Sequence, residues 1–369
     1  MILKVLLVIT GLEMGGAEHV VVNLADELAQ RGYRVKIVYL LGPANMLPVD
    51  PDIEIIPLGM TGNKSVISAY IKLKNIIKDF EPDVVHSHMV HANLLTRLVR
   101  LTQPIPRLVC TAHSNNEGGK LRMLAYRLTD PLADISTNVS DQAVAEFIIK
   151  GAAKANRMVS VPNGVNTNKF YFNNKARQDM RHQLGVDNKK VILAVGNLHA
   201  AKDYPTLLQA VFLLKQHRQD FIVLVAGTGH LEDELKQLAI RLGISDDIVF
   251  LGVRRDIPAL MSAADVFALS SAWEGFGLVV AEAMACERVV VATDSGGVKE
   301  VVADAGMVIP IKNAPALSDA LARALSLDAN QAALMGAMAR ERVVTHYSIN
   351  TMVEDYLTLY LPALNGVPV

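Results

Sequence analysis

The chain has 369 residues, 51% of them hydrophobic and 5% aromatic, with a formal net charge of −1. This excludes a disordered chain, gives no field that points to nucleic acid, and makes two domains the expectation over one ordinary core. Cys110 and Cys286 lie far apart in apolar patterns and read as reduced core residues of a cytosolic protein.

The opening run, "MILKVLLVITG", is broken by Lys4 and followed by no small-residue cleavage site. It reads as a buried first strand and not as a signal peptide. No stretch reaches the ~18 uncharged apolar residues of a membrane span. Next comes "ITGLEMGGAEHV", a strand-to-helix turn with the position of a phosphate-binding loop but without the G-x-G-x-x-G spacing. Gly15 and Gly16 suit a tight turn and also leave bare amides that an anion can approach. No acidic residue closes the following strand in "VKIVYLLG", so the ribose contact of a dinucleotide fold is missing and hydride transfer is disfavoured.

Further strands are predicted at "RVKIVYL", "DVVHSH", "RLVCTAH" and "ISTNVS". His86, His88, His91 and His113 gather at the strand ends of this half, without a carboxylate or cysteine cluster. They are expected to be polar cleft residues near an acceptor, and no metal site is expected. Arg97, Arg100, Arg107, Lys120, Arg122 and Arg127 stand against one acid, Glu117, and follow Lys64, Lys72, Lys74 and Lys78 on a helical pattern. Two expectations stay open for this basic stretch: a solvated helix face, or a surface that docks on anionic lipid and reaches a lipid-linked acceptor.

The segment from Val161 to Lys175, "VPNGVNTNKFYFNNK", is polar, turn-rich and aperiodic, and is the linker candidate. Beyond it strands are predicted at "VILAVG", "DFIVLVAG", "DIVFLG", "DVFALS" and "RVVVAT". Helical segments such as "GHLEDELKQLAIRLG", stopped by Gly243, separate them. Strand–helix alternation implies parallel sheets with right-handed crossovers. The expected fold is α/β, with two facing Rossmann-like doubly wound domains and a cleft between them. The boundaries are residues 1–165, 166–345 and a final helical segment, 346–369, crossing back onto the first domain.

In the second half, Lys202 falls in the loop after a strand and just ahead of a helix, where a phosphate would meet it. "LGVRRDIPALM" places Val253 and Arg254 at the same edge. The densest signal is "WEGFGLVVAEAMA", with Glu274 in a turn and Glu282 inside an apolar helix. A buried, unpaired carboxylate costs several kcal/mol, so Glu282 needs a partner, and a ligand hydroxyl would serve. Between the two carboxylates, the free amides of Gly277, Leu278 and Val279 form a helix N-terminus suited to an anion. Gly275 and Gly277 allow close approach of the backbone. A carboxylate, then amides, then a second carboxylate matches the sugar, diphosphate and ribose of a nucleotide-sugar. A glycosidase would need its carboxylates to flank one bond, which suits this layout poorly.

These residues resemble the E-x7-E motif of retaining glycosyltransferases, and the chain is similar to members of glycosyltransferase family 4, of the GT-B fold. The pieces "GGAE", "PDVVHSH", "TAHS", "VPNGV", "KDYPTLLQA", "FLG", "EGFGLVVAEAMA" and "TDSGGVKEVV" carry the likeness in that order. The resemblance implies that Glu282 holds the ribose hydroxyls. Glu274, with the amides of Gly275, Phe276 and Gly277, would hold the donor sugar. Lys202, the amides of Leu278 and Val279 and those around Gly16 would hold the diphosphate, and Val253 and Arg254 would flank the base. His113 would stand beside the reaction centre as a catalytic residue together with Glu274. Asn197 occupies a donor-binding position where the family often has arginine; either Lys202 and Arg254 carry the charge on the diphosphate, or donor affinity is lower.

The implied enzyme is a cytoplasmic, sugar-nucleotide-dependent retaining glycosyltransferase of surface polysaccharide or glycolipid assembly, with a possible place on the inner face of the membrane. It would need no cofactor, use a UDP-sugar as donor, take a sugar or lipid-linked sugar as acceptor, and bind no nucleic acid. The alternatives are a nucleotide-sugar epimerase or phosphorylase-like enzyme on the same fold, and a non-catalytic sugar-nucleotide-binding protein.

Overall fold

A computed structural model describes residues 2–13, 15–62, 65–115 and 117–361. Among the described residues thirteen strands form two sheets. The first sheet uses β1 (Lys4–Leu12), β2 (Arg34–Ala44), β3 (Glu54–Pro57), β4 (Val84–His88), β5 (Arg107–Ala112), β6 (Ile135–Asn138) and β7 (Met158–Ser160). The second uses β8 (Lys190–Val195), β9 (Phe221–Ala226), β10 (Ile248–Gly252), β11 (Val266–Leu269), β12 (Val289–Thr293) and β13 (Met307–Ile309).

The first sheet runs β3-β2-β1-β4-β5-β6-β7 and the second β10-β9-β8-β11-β12-β13. Every pairing between neighbouring strands is parallel. The inner strands β1, β8, β9 and β12 are nearly continuous apolar runs because both faces are covered: Leu6 and Val8, with Val85 of β4, are fully buried in the first core, and Ile192, Val223 and Val291 in the second. In each sheet the strand order reverses beside the first strand, between β1 and β4 and between β8 and β11. Ligands of such sheets sit beyond the carboxyl ends of the strands at that reversal.

Two compact units follow. The first runs to Gly164 and resumes at Ile349; the second is Val165–Ser348. The last described helix, Ile349–Tyr360, is thus part of the first unit, while residues 362–369 of the predicted final segment lie outside the described residues. The Tyr360 hydroxyl is 2.6 Å from His86 Nδ1, and Arg107 Nε donates to the Leu359 carbonyl at 2.8 Å.

Ten of the thirteen strands coincide with segments predicted as strands from the sequence. β3, β7 and β13 do not. Each is three or four residues long and lies at a sheet edge, where one side has no neighbour and no continuous apolar run is required. Gly243 ends helix Glu232–Leu242 in the left-handed region, at φ 67°, as a C-terminal glycine should.

Two expectations for the first unit are corrected. His86 and His88 are fully buried inside β4 and do not line a cleft. His86 Nε2 meets Thr111 Oγ1 at 2.6 Å, and His88 Nδ1 meets His113 Nε2 at 3.1 Å. Burial holds both His86 and His88 well below the ordinary imidazole pKa. Arg97 is not part of a basic surface either, being only 1% exposed. Its guanidinium donates to the Tyr126 carbonyl, Thr129 Oγ1 and Ser136 Oγ, and lies 3.7 Å from Asp130. Arg100 is likewise taken up, by Asp134 and two backbone carbonyls. Lys64, of the same basic stretch, lies outside the described residues.

Candidate functional site

In the second unit, the loop after β8 and the loop after β11 meet at the strand-order reversal. The β8 loop carries Gly196, the exposed Asn197 and a single 3-10 turn, Ala200–Lys202. His199 caps that turn, its Nδ1 accepting from the Ala201 N–H at 3.2 Å. The β11 loop carries Ser270, Ser271 and Glu274. A backbone hydrogen bond joins the two, from the Ala272 N–H to the Ala201 carbonyl at 2.8 Å, and Ser270 Oγ donates to the Lys202 carbonyl at 2.8 Å.

Lys202 and Glu274 are thereby brought together. Lys202 Nζ is 2.5 Å from Glu274 Oε1, and Ser271 Oγ donates to the same oxygen at 2.6 Å. The Glu274 backbone is fixed in turn by its N–H to the Ser295 carbonyl at 2.9 Å and an isolated parallel bridge to Gly296. Gly296 has φ 86°, and a Cβ there would lie 2.1 Å from the Glu274 carbonyl oxygen, so no other residue fits.

The motif then turns through Gly275, Phe276 and Gly277 into helix Leu278–Ala285. Phe276 is buried and packs edge-on against Tyr347 at 5.4 Å, so its side chain anchors the turn and only its backbone faces the motif. Gly277 has φ 83°, and a Cβ would meet Val298 Cγ2 at 2.8 Å. The amides of Leu278 and Val279 lie in the first helical turn, where no intrahelical acceptor exists; Val280 N–H already donates to the Gly277 carbonyl.

Glu282 is the fifth residue of that helix. Some of its surface reaches solvent, but dense protein surroundings push its carboxyl pKa up to about 8, which the positive charge of Lys169 only partly opposes. No described residue hydrogen-bonds its carboxyl. A group held so far from its ordinary value, without a hydrogen-bond partner among the described residues, is a ligand-site candidate with a physical reason.

The remaining residues that the resemblance assigns to the donor behave differently. Val253 is an exposed valine. Arg254 forks onto Asp256, through Nε at 2.8 Å and a terminal nitrogen at 2.5 Å, so its charge is already met by a neighbour. His199 was not singled out from the sequence, yet it senses the pair: burial and then the Lys202 cation lower its pKa, while Glu274 opposes them. Ser271 was also missed, because nothing in "SSAWEG" shows which serine turns toward the glutamate.

Gly15, Gly16 and His113 belong to the first unit. Gly15 precedes helix Gly16–Gln30 in extended conformation, and a Cβ on Gly16 would meet no atom within 4 Å. His113 follows β5; its N–H donates to Glu117 Oε1 at 2.9 Å, and burial lowers its imidazole pKa to about 4. Its Nδ1 has no hydrogen-bond partner among the described residues. Among the described residues no group of three or more His, Cys, Asp or Glu could hold a metal ion. No helix of the described residues is long and apolar enough to cross a membrane.

Comparison with known proteins agrees with this architecture. Residues 14–169 match the model of Glycosyltransferase Family 4, and residues 176–342 match that of Glycosyl transferases group 1. An N-acetyl-alpha-D-glucosaminyl L-malate synthase of Bacillus anthracis is 25% identical over 369 residues, covering 95% of each chain. A GDP-mannose-dependent alpha-(1-6)-phosphatidylinositol monomannoside mannosyltransferase of Mycolicibacterium smegmatis is 29% identical over 66% of this chain and 67% of its own. In structure, the Anabaena protein HepE in complex with UDP-glucose superposes with a TM-score of 0.84 at 22% identity, covering 99% of this chain and 100% of its own. Sucrose-phosphate synthase of Thermosynechococcus elongatus does so with a TM-score of 0.86 at 22% identity, with the same coverage. With both units matched in chain order and two parallel α/β sheets of this topology, the chain belongs to the family 4 glycosyltransferases of the GT-B fold.

Proposed function

We propose that this glycosyltransferase moves a sugar from a nucleoside-diphosphate-sugar, with a UDP-sugar as the favoured donor, to an acceptor hydroxyl with retention at the anomeric carbon. The observation that carries this is the grouping of Lys202, Glu274 and the amides of helix Leu278–Ala285 at the strand-order reversal, with Glu282 on the same helix and its carboxyl free of hydrogen bonds among the described residues. In this reading the Glu282 carboxylate accepts from ribose hydroxyls and Glu274 from hydroxyls of the donor sugar. Lys202 and the amides of Leu278 and Val279 meet the diphosphate.

As the glycosidic bond to the phosphate oxygen breaks, negative charge builds on the leaving nucleoside diphosphate. Preorganised donors lower the barrier most when aimed at that charge. The acceptor oxygen attacks from the face the diphosphate leaves, and the departing phosphate oxygen takes the acceptor proton. The protein then needs no general base of its own. His113, neutral at physiological pH because its pKa is about 4, contributes hydrogen bonding and not a cationic acid. HepE is bound to UDP-glucose, and the mycobacterial relative is named for a phosphatidylinositol mannoside. By analogy, the acceptor is placed in polysaccharide or glycolipid assembly.

The test is incubation with a panel of nucleoside-diphosphate-sugars and candidate acceptors, with the anomeric configuration of the product read by NMR. An inverted product overturns retention. Conversion of the donor sugar without an acceptor would favour the epimerase alternative.

A further inference from the structure

The sequence offered a basic stretch between Arg97 and Arg127, and the fold takes Arg97 and Arg100 out of it. What remains exposed is more specific. Helix Gly119–Thr129 packs inward through Met123 and Tyr126, while Leu121, Leu124 and Leu128 are 83%, 49% and 70% exposed. At 100° per residue these leucines fall within an arc of about 60°, roughly opposite the two buried residues. Lys120 and Arg127 flank that arc on one side and Arg122 on the other, all three exposed, and the helix contains no acid. A helix on a soluble protein ordinarily turns its polar face outward. This one turns leucines outward and keeps its cations at the sides.

The neighbouring turn extends the pattern. Arg127 lies against Gly151, where a Cβ would be 2.9 Å from its guanidinium, and nearby Ile149 is 79% exposed.

We propose that helix Gly119–Thr129 docks in the plane of an anionic lipid bilayer. Leu121, Leu124 and Leu128 would enter the acyl boundary, with Lys120, Arg122 and Arg127 at the level of the phosphates. A second copy of this chain is a poorer occupant, because a twofold contact through this face would set its cations against themselves. The docking does not depend on the identity of the donor. It does reach the first unit's loop after β5: Glu117 accepts from both the His113 N–H and the Tyr126 hydroxyl, tying this helix to the residue assigned to the reaction.

Co-sedimentation of the full chain tests this, with vesicles of phosphatidylcholine alone or containing roughly a third phosphatidylglycerol. The wild type should pellet with the anionic vesicles, and less so as salt rises. The combined variant Leu121→Gln, Leu124→Gln and Leu128→Gln alters only exposed side chains, so its melting temperature should hold. Its vesicle affinity should fall at least ~10-fold. A second variant, Lys120→Gln, Arg122→Gln and Arg127→Gln, should lose the salt dependence. Hydrogen exchange in residues 119–129 should slow on adding anionic vesicles. Failure of the wild type to pellet, or equal pelleting of the leucine variant, overturns the proposal. So does sedimentation velocity showing a dimer that the leucine variant dissolves.

Discussion

Lys202 Nζ and Glu274 Oε1 stand 2.5 Å apart, joining side chains 72 residues apart in sequence across the strand-order reversal of the second sheet. The cation assigned to the diphosphate is thus paired with the carboxylate assigned to the sugar. Donor binding must therefore share Lys202 between Glu274 and the phosphates. Glu274→Gln removes the competing negative charge. Affinity for the free nucleoside diphosphate should stay the same or rise, while transfer falls by at least ~10², the loss expected for a contact made to the reacting sugar. Calorimetry and initial rates together check this. A large loss of nucleoside diphosphate affinity would assign Glu274 to the nucleotide instead.

Lys202→Met keeps the length of the stem and removes the charge. It should lower affinity for the nucleoside diphosphate by ~1.5–3 kcal/mol, the range of a charge-assisted hydrogen bond. It also strands Glu274, so part of the loss reflects a damaged empty site. The double variant Lys202→Met, Glu274→Gln separates the two effects. If it binds the diphosphate as tightly as the wild type, Lys202 matters only as a partner for Glu274.

Glu282 supplies a pH signature. Its folded pKa of about 8 lies above that of an unfolded glutamate, so at neutral pH it is largely protonated in the empty protein. Ribose hydroxyls that donate to the carboxylate stabilise the ionised form and lower its pKa in the complex. The complex then holds fewer protons than the empty protein, so nucleotide affinity should rise with pH and level off above about 8. The same group makes the empty protein less stable as pH climbs from the unfolded pKa toward about 8, because only the unfolded chain ionises freely there. Glu282→Gln should flatten both profiles. A wild-type affinity that is independent of pH would remove Glu282 from the ribose.

Two glycines separate structural from ligand roles. Gly296→Ala places a methyl 2.1 Å from the Glu274 carbonyl oxygen at a φ of 86°, and should cost at least ~1–3 kcal/mol in stability by chemical denaturation. Gly16→Ala meets open space at the start of a helix and should leave stability unchanged or raise it by up to ~1 kcal/mol. If transfer falls in that variant while stability holds, the turn is a ligand contact. Unchanged transfer would leave it only a strand-to-helix turn.

Arg97 is structural. Truncation to alanine leaves Asp130, the Tyr126 carbonyl and Ser136 short of a buried donor, and should cost ~3–5 kcal/mol. Its melting temperature should drop sharply, whereas Arg127→Ala, on the exposed side of helix Gly119–Thr129, should melt like the wild type. Equal melting of Arg97→Ala and the wild type would contradict the buried network.

The order of strands and helices, their parallel pairing and the paired glutamates were determined by the sequence itself. Apolar runs alternating with amphipathic segments admit few other topologies, and an apolar helix around Glu282 already implies a carboxylate in need of a partner. Short edge strands left little trace, since an edge demands no continuous apolar run. The tertiary structure decided which residues meet. Sheet order sets β8 beside β11 although β9 and β10 lie between them in sequence, so no local spacing could announce that Lys202 pairs with Glu274. It also decided which charges face water. Arg97 and Arg127 both read as helix-surface cations in the sequence, and only packing against Tyr126 and Asp130 drew Arg97 inside. Burial of a long cation depends on partners contributed by other elements, and those partners are assembled by the fold.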